Sequence, residues 1–191
     1  YYYKYLFPEL PPVDSRAKMI AAMAMRGYSQ PEHRRLESFI SQRLKGELDK
    51  DGLRIALDKP YSQGGVGLWR QKAKKITDYV EDIILGENKL GFFYKKIKET
   101  PEAPFSQDVE DLRNWMLEEY KGSLTPLQIE RLDEGISERV RNIITTDHFR
   151  KILDLPKEQG GLGLKIRSSF KMAEKLEAII GSEERAENNG S

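Results

Sequence analysis

The sequence predicts an all-α protein, an internally duplicated helical bundle whose two similar units pack with pseudo-two-fold symmetry. Two observations carry that expectation. Residues 31–84 align over 127–180 at a constant offset of 96 without a gap, and 19 of the 54 positions are identical, where chance gives roughly three. Within the aligned spans apolar residues recur at three- and four-residue intervals, the repeat of a helix face, and no stretch reads convincingly as part of a sheet.

The elements follow in order. Asp14 is placed to cap a helix holding Ala17, Ile20, Met23 and Ala24, since a carboxylate accepts the free amides of a first turn. Ser29-Gln-Pro-Glu32 and Thr125-Pro-Leu-Gln128 each put Glu or Gln three residues after a hydroxyl, the spacing of a reciprocal capping box. The helices they open bury Leu36, Phe39, Ile40 and Leu44 in one span and Leu132, Ile136, Val140 and Ile143 in the other. A shorter helix follows in each, about 50–57 and 146–153. Pro60 and Pro156 bias the residue before them away from helix, and the glycines of QGGVGL (63–68) and QGGLGL (159–164) permit angles and approaches closed to other residues. An ordered connection is therefore expected rather than a slack linker.

A second long helix then carries Ala73, Ile76, Val80, Ile83 and Ile84 in the first span, and Phe170, Met172, Ala173, Leu176, Ile179 and Ile180 in the second. A short helix is expected around Leu90 to Ile97, and a helix with Leu112, Trp115, Met116 and Tyr120 is the counterpart of the Asp14 helix. Thr100–Pro104 marks the boundary between halves. The expected organisation is a first repeat at 1–98 with an aromatic arm (Tyr1 to Tyr3, Tyr5, Phe7), a second repeat at 105–182, and a polar, disordered tail at 183–191.

Composition narrows the function classes. Lys and Arg number 32 against 31 Asp and Glu, so net charge does not predict a nucleic-acid partner and any electrostatic attraction must be local. With no Cys, disulfides, thiolate ligands and thiol nucleophiles are excluded. No apolar run is long enough to cross a bilayer, and the start resembles no secretory signal, so an intracellular protein with no membrane partner is expected. The first residue is Tyr1 rather than Met, which fits a processed product or a piece of a longer chain.

The repeated glycine turns, Gly64, Gly65, Gly67 and Gly160, Gly161, Gly163, are candidates to offer amides to a phosphate, the alternative being a purely structural turn. Neither has the lysine and hydroxyl of a nucleotide-binding P-loop. Beyond them come Trp69, Arg70, Lys72, Lys74 and Lys75, then Lys165, Arg167, Lys171 and Lys175 in the second span. Two basic helix starts suit a nucleic-acid backbone, DNA or RNA, through counterion release, and Trp69 suits base stacking. Asp78, Glu81, Asp82, Glu174 and Glu177 follow closely enough to make these ordinary solvated faces instead. Lys95, Lys96 and Lys98 beside Phe92, Phe93 and Tyr94 extend the basic surface or seal the core.

Arg35/Arg131, Arg43/Arg139 and Arg54/Arg150 recur with Asp51/Asp147 and Asp58/Asp154. Guanidinium–carboxylate pairing makes them structural, with Arg35 and Arg131 the pair best placed to face a ligand. His33 and His148 lack metal-binding spacing and are not equivalent in the alignment. No nucleophile signature appears, so no catalytic residue, metal or cofactor is assigned.

The phrase LPKEQGGLGLKIRS, Leu155 to Ser168, resembles a short phrase found after the catalytic core of some retroelement reverse transcriptases, with a weaker echo in the first span. No YxDD-like motif accompanies it, and polymerase activity is not carried across. The leading expectation is a non-catalytic nucleic-acid-binding protein. The alternatives are a protein-interaction or self-assembly module using the duplicated faces, and a small-molecule enzyme with a site between the repeats.

Overall fold

The computed structural model describes residues 8–26, 28–102 and 104–180; the aromatic arm at 1–7 and the tail from 181 lie outside them. Among the described residues the fold is all-α, with no strand. Among the described residues eight helices occur in chain order: α1 (Val13–Ala24), α2 (Gln30–Leu44), α3 (Lys50–Asp58), α4 (Arg70–Glu99), α5 (Ser106–Leu117), α6 (Pro126–Val140), α7 (Thr146–Asp154) and α8 (Ile166–Ile180), with single 3-10 turns at Tyr61–Gln63 and Lys157–Gln159. The described chain forms two compact units, an N-terminal one of Pro11–Leu85 and a C-terminal one of residues 8–10 together with residues 86–180. The boundary falls within α4, and Thr100–Pro104 connects α4 to α5 inside the C-terminal unit.

In the N-terminal unit α2 packs against both α1 and α3. Ala17, Ile20, Leu36, Ile40, Leu53, Leu57, Ile76 and Val80 are removed from solvent there, and apolar burial of this kind drives the packing. In the C-terminal unit α5, α6, α7 and α8 pack in sequence, and α5 also meets α8. Its core holds Leu112, Trp115, Leu132, Ile136, Phe149, Leu153, Ala173 and Leu176. Phe93 of α4 meets Phe105 edge-on at 5.3 Å. The Tyr94 hydroxyl donates to the Val140 carbonyl at 3.0 Å, and burial pushes that phenol above its ordinary pKa.

Local chemistry sets the helix ends. The capping boxes at Ser29/Glu32 and Thr125/Gln128 both form, and Asp49 and Thr145 cap α3 and α7. Both α2 and α6 close with a left-handed residue just past the end, Gly46 (φ 78°) and Asn142 (φ 58°). The amides of Gly46 and Glu47 donate to Arg43 and Gln42, and those of Asn142 and Ile143 to Arg139 and Glu138, which is the pairing of a Schellman stop.

Ion pairs at corresponding positions fix the outer helices. Arg43 of α2 makes a two-pronged contact with Glu81 of α4, at 2.7 and 2.9 Å. Arg139 of α6 does the same with Glu177 of α8, also at 2.7 and 2.9 Å. The first pair is partly exposed, whereas the Arg139 and Glu177 side chains are only 4% and 2% exposed. Arg139 also donates to Asn142 and Thr146, so its buried charge is well satisfied.

Several sequence expectations are corrected. Pro12, not Asp14, occupies the N-cap of α1; Asp14 sits within the first turn and accepts from Ser41 Oγ at 3.0 Å, favoured there by the helix dipole. Leu90 to Ile97 is no separate helix but the end of the 30-residue α4, because no Pro interrupts the pattern after Gly86. Tyr120 lies past the end of α5. Ile143 is exposed beyond the stop of α6, and Phe170 is partly exposed on α8 with Arg150 over its ring at 5.5 Å.

Glu177→Gln should lower stability by about 3 kcal/mol, because it strands a buried guanidinium. Glu81→Gln, at the more hydrated pair, should cost roughly 1 kcal/mol. Urea midpoints of the two variants against the parent give the ordering.

Candidate functional site

Each glycine turn is a backbone return onto the helix before it. In the N-terminal unit the Val66 amide donates to Ala56, Gly67 to Lys59 and Leu68 to Leu57, at 2.9–3.1 Å. In the C-terminal unit Leu162 donates to Ile152, Gly163 to Leu155 and Leu164 to Leu153, at 2.8–3.0 Å. The return is so close that a Cβ on Gly65 or Gly161 would stand 2.0 Å from the carbonyl oxygen of Lys59 or Leu155. Gly64 and Gly160 take left-handed angles (φ 92° and 87°) that close the 3-10 turns.

This geometry settles what the turn amides do. The amides of Gly64 and Gly65 donate to Tyr61 and Pro60, and those of Gly160 and Gly161 to Lys157 and Pro156. With Gly67 and Gly163 engaged as well, the six glycine amides point to internal carbonyls. A phosphate taken by these amides would have to displace these bonds.

Arg35 and Arg131 brace the turns. Arg35 Nη1 donates to the carbonyls of Tyr61 and Gly65, the latter at 2.7 Å. Arg131 Nη1 donates to Lys157 and Gly161 at 2.9 and 2.8 Å. In each arginine one guanidinium nitrogen, Nη1, makes both bonds to the turn. The Arg35 guanidinium also lies 3.5 Å from the centroid of the Tyr61 ring.

The basic residues are unequal. Trp69 is 64% exposed, and Arg70, Lys74 and Lys75 are exposed around the start of α4. Lys72 lies over the Tyr28 ring at 5.4 Å. Lys74 pairs with Asp78 at 2.8 Å, which Lys50 also approaches at 3.2 Å. Hydrogen bonds from those lysines hold the Asp78 carboxyl below its ordinary pKa, so the pairing persists at neutral pH and is lost only as pH falls through that depressed value. In the C-terminal unit Lys165, Arg167 and Lys171 are exposed. Lys175 is committed elsewhere: it donates to the Trp115 carbonyl at 2.8 Å and lies over the Trp115 ring at 4.5 Å.

Of the second basic cluster, Lys96 pairs with Asp108 at 2.7 Å, Lys95 with Glu99 at 3.8 Å and Lys98 with Glu9 at 3.7 Å. Phe93 and Tyr94 are core and Phe92 is exposed. Sequence reasoning missed the shallow depression of about 370 Å³ formed by Gln30, Pro31, Arg34, Arg35, Ser38 and Tyr61. Its only sequence signal was Arg34 beside the repeated Arg35. Among the described residues no cluster of His, Asp and Glu is arranged to hold a metal ion, and no helix is long and apolar enough to cross a membrane.

No family model matches the chain, and no curated protein or solved structure matches it.

Gly65→Ala and Gly161→Ala should each destabilise their unit by more than the roughly 1 kcal/mol of an ordinary glycine replacement, since the new Cβ meets backbone that cannot swing away. Thermal melts followed by circular dichroism check this. Ala at Gly52, which borders only side chains, serves as the control.

Proposed function

We propose that this chain is an internal duplication that binds nucleic acid without catalysing a reaction, contacting the phosphate backbone at the starts of α4 and α8. The duplication is supported by residues 96 positions apart making the same bonds, Arg35 with Arg131 and Arg43 with Arg139. The observation that carries the binding reading is electrostatic. The first turns of α4 and α8 contain no acidic residue, while exposed Arg70, Lys75, Lys165, Arg167 and Lys171 gather around them. Cations at the positive end of a helix repel its dipole. A phosphate backbone relieves that repulsion and releases counterions as it binds.

A second reading has its own observation. Ile166 is 77% exposed, and Phe170, one turn along α8, is partly exposed as well. Paired apolar side chains on one helix face suit a protein partner or self-association.

The test is binding of the purified chain to short DNA and RNA probes over a salt series. Arg70→Gln/Lys75→Gln should reproduce most of the loss seen when Lys72 and Lys74 are replaced too, because those two already have partners. Conversely, Asp78→Asn should release Lys74, raising affinity and steepening the salt dependence by about one unit of slope. Absence of binding at low salt would overturn this reading and leave the apolar face of α8 as the better candidate.

A further inference from the structure

We propose that the nucleic acid taken by the N-terminal unit is single-stranded, with Tyr61 and Trp69 as base-stacking platforms and Arg34 as the phosphate contact beside them. This rests on the nucleic-acid reading above and specifies its substrate class.

The Tyr61 platform is built in advance. Arg35 is held by two carbonyls of the glycine turn and lies against the Tyr61 ring at 3.5 Å, yet Tyr61 remains 43% exposed. A ring supported from beneath loses little freedom when a base stacks on it. The guanidinium adds a cation–π contribution to the stack.

Next to the ring, the open depression presents Arg34, Gln30 and Ser38. Arg34 is exposed and free to meet a phosphate, while the amide of Gln30 and the hydroxyl of Ser38 can reach the edge of an unstacked base. Trp69 is close by: Gly67 lies against Tyr61, and two residues further on spans at most about 7 Å. Arg34 lies beside Tyr61 in the depression, Arg70 follows Trp69 in the chain and both are exposed, and exposed aromatics accompanied by cations are what single strands use. A duplex offers its phosphates but keeps its base faces stacked on one another, so these aromatics gain nothing from it.

The corresponding positions of the C-terminal unit show the contrast. Lys157 stands where Tyr61 is, Lys165 where Trp69 is, Glu130 where Arg34 is and Glu134 where Ser38 is. At these positions that unit has exposed lysines in place of the two aromatics, and two acids in place of the depression's polar lining. The strand preference argued from this arrangement therefore belongs to the N-terminal unit.

The experiment titrates the full chain with a mixed-sequence single strand and with a blunt duplex of the same sequence, reading tryptophan fluorescence and anisotropy of labelled probes. Trp115 is buried, so quenching by a stacked base reports Trp69. The expected result is quenching by the single strand and a preference of roughly tenfold over duplex. Tyr61→Ala and Trp69→Ala should each weaken single-strand binding by roughly tenfold while leaving duplex binding unchanged. Tyr61→Phe should retain it, and Lys157→Ala and Lys165→Ala should not alter the preference. Equal affinity for both probes, insensitive to the aromatic substitutions, would overturn the single-strand inference and leave backbone binding standing. No binding of either probe at low salt would overturn both.

Discussion

Each unit depends on a backbone return: the chain leaves a short helix, turns through QGGxGL, and lays its amides back on that helix's last carbonyls. The constraint is steric before it is energetic. Gly65 and Gly161 sit where any side-chain carbon would overlap a carbonyl oxygen, so the return exists only for a residue without Cβ. Once it is made, the amides of Val66 and Leu68 fix where α4 can begin, and those of Leu162 and Leu164 fix α8. Arg35 and Arg131 clamp the turn from the helix behind it. The guanidinium pairs Arg43–Glu81 and Arg139–Glu177 then set how the outgoing helix lies against α2 or α6.

The clamp also explains why the surface around it is available. A turn whose amides were open would itself be the anion site, as in phosphate-binding loops. Here the polar backbone is consumed internally, and in the proposed nucleic-acid reading recognition falls to side chains on and just past the turn: Tyr61, Trp69 and Arg70. Rigid backbone beneath exposed aromatic and cationic groups favours binding through preorganisation.

Much of the fold was legible because its signals are local. The capping hydroxyls Ser29 and Thr125, the prolines before the turns and the three-and-four spacing of Leu36 and Ile40 each act within a few residues. The sequence misled where an outcome depends on distant partners. By position alone Glu81 and Glu177 are acids diluting a basic face, yet they are the partners of Arg43 and Arg139, 38 residues away along the chain. Lys175 read as a basic-face residue because nothing near it in sequence announces Trp115, 60 residues away. Asp14 was a plausible cap whose place Pro12 takes. The depression at Arg34 and Tyr61 joins α2 to the turn after α3, a juxtaposition that no spacing rule encodes.

The helix stops after α2 and α6 use the same hydrogen bonds with different residues, Gly46 in one and Asn142 in the other. Glycine meets no Cβ strain at positive φ; asparagine tolerates the angle and here also accepts from Arg139 through its side chain. The stop of the N-terminal unit thus stands beside a hydrated ion pair, whereas that of the C-terminal unit is tied through Arg139 to a dry one. Amide exchange should be graded accordingly, faster in the unit that carries Tyr61 and Trp69. Its aromatic surface would sit on the part of the chain that opens most readily, where ordering by a ligand would slow exchange the most.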